Sequence, residues 1–178
     1  MGNKFKDYIY SKIDFNKNAQ KSIVRACKLY KKGKAFKYYS LLLHRINRRK
    51  YNIEIYPSVI LKGDIYIPHA VGIVIGKTAV IGDKCIIFPN VVIGARYSPY
   101  KENNKRRHAI VGDNCIIGAG TNIIGDIVIG NNVTIGANSI VTKDIPDNCI
   151  VTGCNVIRAK KLEFTIEHEI RSVFRNRK

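Results

Sequence analysis

An apolar or small residue returns at every sixth position through the middle of this chain. Ile55, Leu61, Ile67, Ile73, Ala79, Cys85 and Val91 form one series, and Val111, Ile117, Ile123, Ile129, Ile135 and Val141 form another. Four residues after each member of the second series comes a small or branched residue: Cys115, Thr121, Ile127, Val133, Ser139, Ile145. Glycines punctuate the pattern at Gly76, Gly82, Gly94, Gly112, Gly118, Gly130 and Gly136. A period of six fits neither the 3.6 of a helix nor hairpin alternation. It predicts a parallel β-helix in which each unit is a short strand plus a turn, and three units close a triangular coil of about 18 residues. Row residues then point into the prism and stack on their equivalents in neighbouring coils. Gly, Asn and Asp suit the corners because they tolerate left-handed backbone. Hexapeptide prisms coil left-handed, an exception to the right-handed crossover rule.

The expected fold is therefore mainly β: a left-handed parallel β-helix over 53–157, with short N-terminal helices and a C-terminal capping helix. From Ile93 to Val111 the row is silent for 18 residues and resumes in step. The segment between, with five basic residues and Pro99, is read as a loop over 95–109 thrown out from one corner. Residues 1–52 carry helical patterning. Ile23, Ala26, Cys27 and Tyr30 make one apolar face before Gly33, and Tyr38, Leu41, Leu42 and Ile46 make another, with a possible third helix around 3–13. In 158–178, Leu162, Ile166, Ile170 and Val173 share one helical side and would cap the open coil end.

Charge is uneven. Residues 1–50 hold 15 Lys+Arg against only Asp7 and Asp14. Such an arm suits nucleic acid, an anionic membrane face or an anionic substrate, and charge alone selects none. No nucleic-acid module is recognised. No apolar run approaches the roughly 18 residues of a membrane span, and no secretory leader is read at the N-terminus. A cytoplasmic location is expected, with peripheral contact at the inner membrane face as a further expectation. Five cysteines without a CxxC pair predict neither a disulfide framework nor a metal site. Cys85 and Cys115 fall in apolar slots of the repeat.

Of the four histidines, His44 and His168 are read as surface or packing residues. His69 stands apart. Stepping back from Ile93, Ile87, Ile81 and Ile75, the next row position is 69. An imidazole buried in that stack would leave a ring nitrogen unpaired, at about 1–3 kcal/mol. A local distortion of the coil at Pro68–His69, turning the ring toward a cleft, is the expectation.

The run EIYPSVILKGDIYIPHAVGIVIGKTAVIGDKC, then RRHAIVGDNCIIGAGTNIIGDIVIGNNVTIGANSIVTKDIPDNCIVTGCNVIR, resembles the serine O-acetyltransferase family and its close relatives that acetylate sugars in surface-polysaccharide pathways. The resemblance covers roughly 53–158. It implies acetyl transfer from acetyl-CoA to a hydroxyl, with no metal and no covalent enzyme intermediate, in a homotrimer. His69 matches the family's catalytic histidine, the general base, and Glu54 matches the carboxylate that orients it, one methylene longer than the family's Asp. Arg107 and His108 match an Arg-His pair that contacts the acceptor. CoA is implied to lie between coils of neighbouring subunits, past Gly94, Ala95, Ala119 and Ala137, with Arg158, Lys160 or Lys161 on its phosphates. Three departures bear on the acceptor. Pro68 replaces an aspartate that helps hold the amino acid's ammonium, the loop reads KENNKRRH instead of Gly-rich, and a short basic arm replaces a long acidic helical domain. They favour a sugar hydroxyl of capsular or lipopolysaccharide synthesis as acceptor, with L-serine of cysteine biosynthesis as the alternative. A non-catalytic scaffold, or a metal or nucleic-acid binder, is the reading of another class. For metal, His69 and His108 are few ligands.

Overall fold

The computed structural model describes residues 15–96 and 107–159. Two helices, α1 (Phe15–Tyr30) and α2 (Lys34–Tyr51), precede a left-handed parallel β-helix. Its first sheet stacks β1 (Glu54–Ile55), β4 (Val74–Ile75), β7 (Val92–Gly94), β10 (Asn122–Ile124) and β13 (Ile140–Val141). The second stacks β2 (Ile60–Leu61), β5 (Val80–Ile81), β8 (Ile110–Val111) and β11 (Val128–Ile129). The third stacks β3 (Ile65–Tyr66), β6 (Cys85–Ile87), β9 (Ile116–Ile117), β12 (Thr134–Ile135), β14 (Cys149–Thr152) and β15 (Val156–Ala159). All ladders are parallel except β14–β15, which is antiparallel.

Each unit sends two residues inward, one on either side of an outward residue, as strand alternation requires. Ile73 and Ile75, Ala79 and Ile81, Cys85 and Ile87, Val91 and Ile93 are all buried in this way. Cys85, Cys115 and Cys149 fill interior slots, where the Cys115 side chain, and then burial, raise the Cys85 thiol far above its ordinary range. Where the coil turns from the second to the third sheet, polar side chains form a ladder. The Asp83 N–H donates to Asp113 Oδ1, Asp113 N–H to Asn131 Oδ1, and Asn131 N–H to Asp147 Oδ1, at 2.7–2.8 Å. Lys84, Asn114, Asn132 and Asn148, each next in sequence, take left-handed φ values near 55°. Glycine at 112 is dictated by the tight coil: a Cβ there would lie 2.6 Å from the Gly130 carbonyl oxygen.

Coil length varies, and the variation positions the site. Regular coils advance 18 residues, as in Ile75 to Ile93 and Ile117 to Ile135. Ile81 pairs with Val111, so the loop adds twelve without disturbing register. The last coil is two residues short, Ile135 to Val151. The first is two residues long: Ile55 pairs with Ile75, Leu61 with Ile81, and Ile65 with Cys85. The series Ile55 to Val91 is therefore not one row. Ile55, Leu61 and Ile67 belong beneath Ile75, Ile81 and Ile87, and the two surplus residues sit in the turn 68–72. Ile67, fully buried, takes the interior place that a strict six-residue count would give to His69.

Helix α1 closes the open end of the prism. Ala19, Ile23 and Cys27 join the coil's core. The polar residues beside them satisfy the free edge of β3: Gln20 Nε2 donates to the Ile65 carbonyl at 2.7 Å, and the Ile67 N–H donates to Gln20 Oε1 at 3.3 Å. At the other end, the chain departs from expectation. Arg158 and Ala159 were placed at the start of a terminal helix, but they lie in β15, which folds back on β14 because the last strand otherwise has an unpaired edge. The rest of that helix, and the one expected around 3–13, lie outside the described residues.

Candidate active site

The surplus turn carries His69. It joins β3 of the third sheet to β4 of the first, and its backbone is held from three sides. The Ala70 N–H donates to Asn16 Oδ1 of α1 at 2.9 Å, the Val71 N–H to the His69 carbonyl at 3.0 Å, and the Gly72 N–H to the Asn52 carbonyl at 2.9 Å. Gly72 has φ 66°, and a Cβ there would collide with the Asn90 side-chain oxygen. Ala70 is buried and His69 is exposed. The ring stands outside the prism, on a turn whose backbone is fixed, and no hydrogen bond or ion pair joins it to any described residue.

Glu54 does not reach it. This residue points outward from β1, and its carboxylate is paired with Arg48 of α2, Nε to Oε2 at 3.4 Å. Among the described residues, no bond joins Glu54 to His69, so the expected orienting pair is not formed in this chain. Arg48 was not foreseen because its register against β1 depends on how α2 packs. Beside this pair, Arg45, Arg49, Asn52, Gly72 and Val74 line a cleft of about 570 Å³.

His108 occupies a different corner, between the first and second sheets. Its ring lies over Gly76, where any Cβ would strike it. Thr78 Oγ1 accepts the Arg107 N–H at 3.0 Å and lies 2.7 Å from His108 Nδ1. The Thr78 N–H also points at Nδ1, at 3.4 Å. Nδ1 is thus the acceptor and Nε2 carries the hydrogen. Burial, and then the Arg107 guanidinium, push the His108 pKa below its ordinary value. A neutral ring with the hydrogen on Nε2, the ring atom nearest Gly76, follows. Sequence reasoning missed Thr78 and Gly76, which set that orientation.

The expected CoA residues also divide by corner. Ala119 and Ala137 lie above His69, each in the turn from the third to the first sheet. Gly94 and Ala95 lie on the His108 side, where Arg107 Nη2 donates to the Arg96 carbonyl at 3.4 Å. Arg158 is exposed on β15, and Lys160 lies outside the described residues. Among the described residues, no cluster of three or more His, Cys, Asp or Glu could hold a metal.

A hexapeptide prism with an exposed histidine on a lengthened corner is what these features define. Residues 108–143 match the family described as bacterial transferase hexapeptide (six repeats). The chain is similar to serine acetyltransferases: 39% identical to that of Synechococcus elongatus over 63% of this chain and 44% of the relative, and 39% identical to that of Staphylococcus xylosus over 72% and 56%. Among solved structures, soybean serine acetyltransferase complexed with serine superposes with a TM-score of 0.68 at 32% identity, covering 79% of this chain and 55% of that one. The chain spans about half the length of these relatives. They overturn the expected sugar acceptor and its place in polysaccharide synthesis, since the relatives named are serine enzymes. The structure bears on one of that expectation's three supports. The basic residues of the arm that the structure describes ride on α1, α2 and the turn between them, not beside His108.

Proposed function

We propose that this protein transfers the acetyl group of acetyl-CoA to the hydroxyl of L-serine, yielding O-acetylserine and CoA. The observation that carries this reading is His69 itself, an exposed imidazole on a lengthened, backbone-fixed corner in a fold similar to serine acetyltransferases. An alcohol with a pKa of about 15 scarcely ionises at neutral pH, and a positioned base contributes roughly 10²–10⁴-fold. His69 takes the hydroxyl proton as the oxygen attacks the thioester carbonyl carbon. The tetrahedral adduct then expels the CoA sulfur, which receives the proton from the imidazolium. His108 Nε2–H donates a hydrogen bond to the acceptor, and the Arg107 guanidinium offers charge to its carboxylate. Ala119 and Ala137 leave room for the pantetheine arm along the His69 corner.

One chain places His69 and His108 on separate corners, with the first sheet between them. A site using both needs two copies, so we read the protein as a homotrimer whose corners meet. Outward columns support such packing: Ile60, Val80, Ile110 and Val128 align on the second sheet, and Ile86, Ile116, Thr134 and Ile150 on the third. The test is acetyl-CoA turnover with L-serine. His69→Ala should lower kcat by about 10²-fold or more while CoA binding persists. Absence of turnover with L-serine by the intact protein, or equal loss of CoA binding in the variant, contradicts the proposal.

A further inference from the structure

Helix α2 is turned against its own pattern. The face packed against α1 and the coil is polar: Ser40, His44 and Asn47 are buried, with Tyr51 at the end. Ser22 Oγ donates to Asn47 Oδ1 at 2.7 Å, while Ser40 Oγ and His44 Nδ1 find no partner among the described residues. The apolar side faces outward. Tyr38 is 77% exposed, Leu42 51% and Ile46 43%, spaced four apart and so in one row along the helix. Burying polar groups while presenting this row to water is unfavourable on both counts, so the row needs an apolar partner.

Charge says what kind. From Lys17 to Lys50 stand twelve Lys+Arg and no Asp or Glu. Lys34, Lys37, Arg45 and Arg49 lie on α2 itself. A second copy laid on this face about a two-fold axis would set these cations against their equivalents. An anionic bilayer surface answers both features: headgroup phosphates meet the cations, and the acyl boundary receives the apolar row. No helix among the described residues, α2 included, is long and apolar enough to cross a membrane. We propose that α2 is an interfacial helix that docks the protein on an anionic lipid surface, lying in the headgroup plane with Tyr38, Leu42 and Ile46 facing the acyl chains.

Flotation of the full chain with vesicles tests this. Binding is expected to phosphatidylcholine vesicles containing phosphatidylglycerol at low salt, weaker at high salt, and absent with phosphatidylcholine alone. The double variant Leu42→Asp, Ile46→Asp should lower binding about tenfold or more, with unchanged oligomeric mass, melting temperature and turnover. Lys34→Glu with Lys37→Glu should weaken it as well. Wild-type protein that fails to float at low salt overturns the proposal. So does a Leu42/Ile46 variant that floats normally, or one that loses oligomeric mass, which would make the face a contact between copies.

Discussion

At the scale of residues, the two histidines differ in what holds them. His69 owes its place to backbone: Asn16, Asn52 and Gly72 fix the turn while the ring stays free of described partners. His108 owes its state to side chains, with Thr78 on Nδ1 and Arg107 next in sequence. Glu54 is held by Arg48, and that makes a discriminating prediction. If the ion pair persists, Glu54→Gln should reduce kcat by less than about tenfold, well short of the about 10²-fold expected of His69→Ala; an equal loss would show that Glu54 swings to the imidazole during turnover. Protonation gives a second prediction. Burial lowers the pKa of both His44 and His108 below the ordinary 6.5; for His44, Glu54 opposes the shift and Arg48 adds to it. The unfolded chain therefore takes up protons first. Stability is whole above 6.5 and falls as pH drops from there toward the folded pKa values. The melting temperature should decline as pH falls from about 6.5 toward about 5.5, and less steeply in His108→Gln.

At the scale of elements, the turn 68–72 is the feature the site depends on. Gly72→Ala adds a Cβ at left-handed φ against Asn90 and should cost about 2 kcal/mol or more in denaturant unfolding, with loss of turnover. An unchanged midpoint would show that the turn relaxes freely. The prism was legible in sequence because its interior positions recur, and strand sterics allow few other residue types there. The surplus was hidden because Ile55, Leu61 and Ile67 happen to stand six apart from Ile73, which belongs to the companion row. Following inward pairs exposes it: Ile53 and Ile55, Val59 and Leu61, Ile65 and Ile67, then a step of eight to Ile73 and Ile75. His69 was thus singled out by a row it does not occupy, though the distortion invoked to free its ring is real. The α2 face was misjudged in another way. Periodicity puts Tyr38, Leu41, Leu42 and Ile46 on one side, but it does not say whether that side meets protein, lipid or water, and Leu41 is half-buried while the other three are exposed.

At the scale of the whole molecule, the prism is a rigid spacer that keeps His69 and His108 on different corners, each with half of the small residues expected to admit CoA. Under the proposed function, reactive geometry belongs to the assembly and not to the chain. It follows that dilution into monomers should abolish turnover even where the fold persists, as light scattering alongside activity would show. Complementation is the most direct measurement. His69→Ala and His108→Ala chains, each nearly inactive alone, are coexpressed in equal amounts and the mixed oligomers purified. If each site draws one histidine from either side, about a third of the sites in mixed trimers regain both, and turnover with L-serine returns to about a third of wild type. Mixed oligomers no more active than either parent would contradict a site shared between copies.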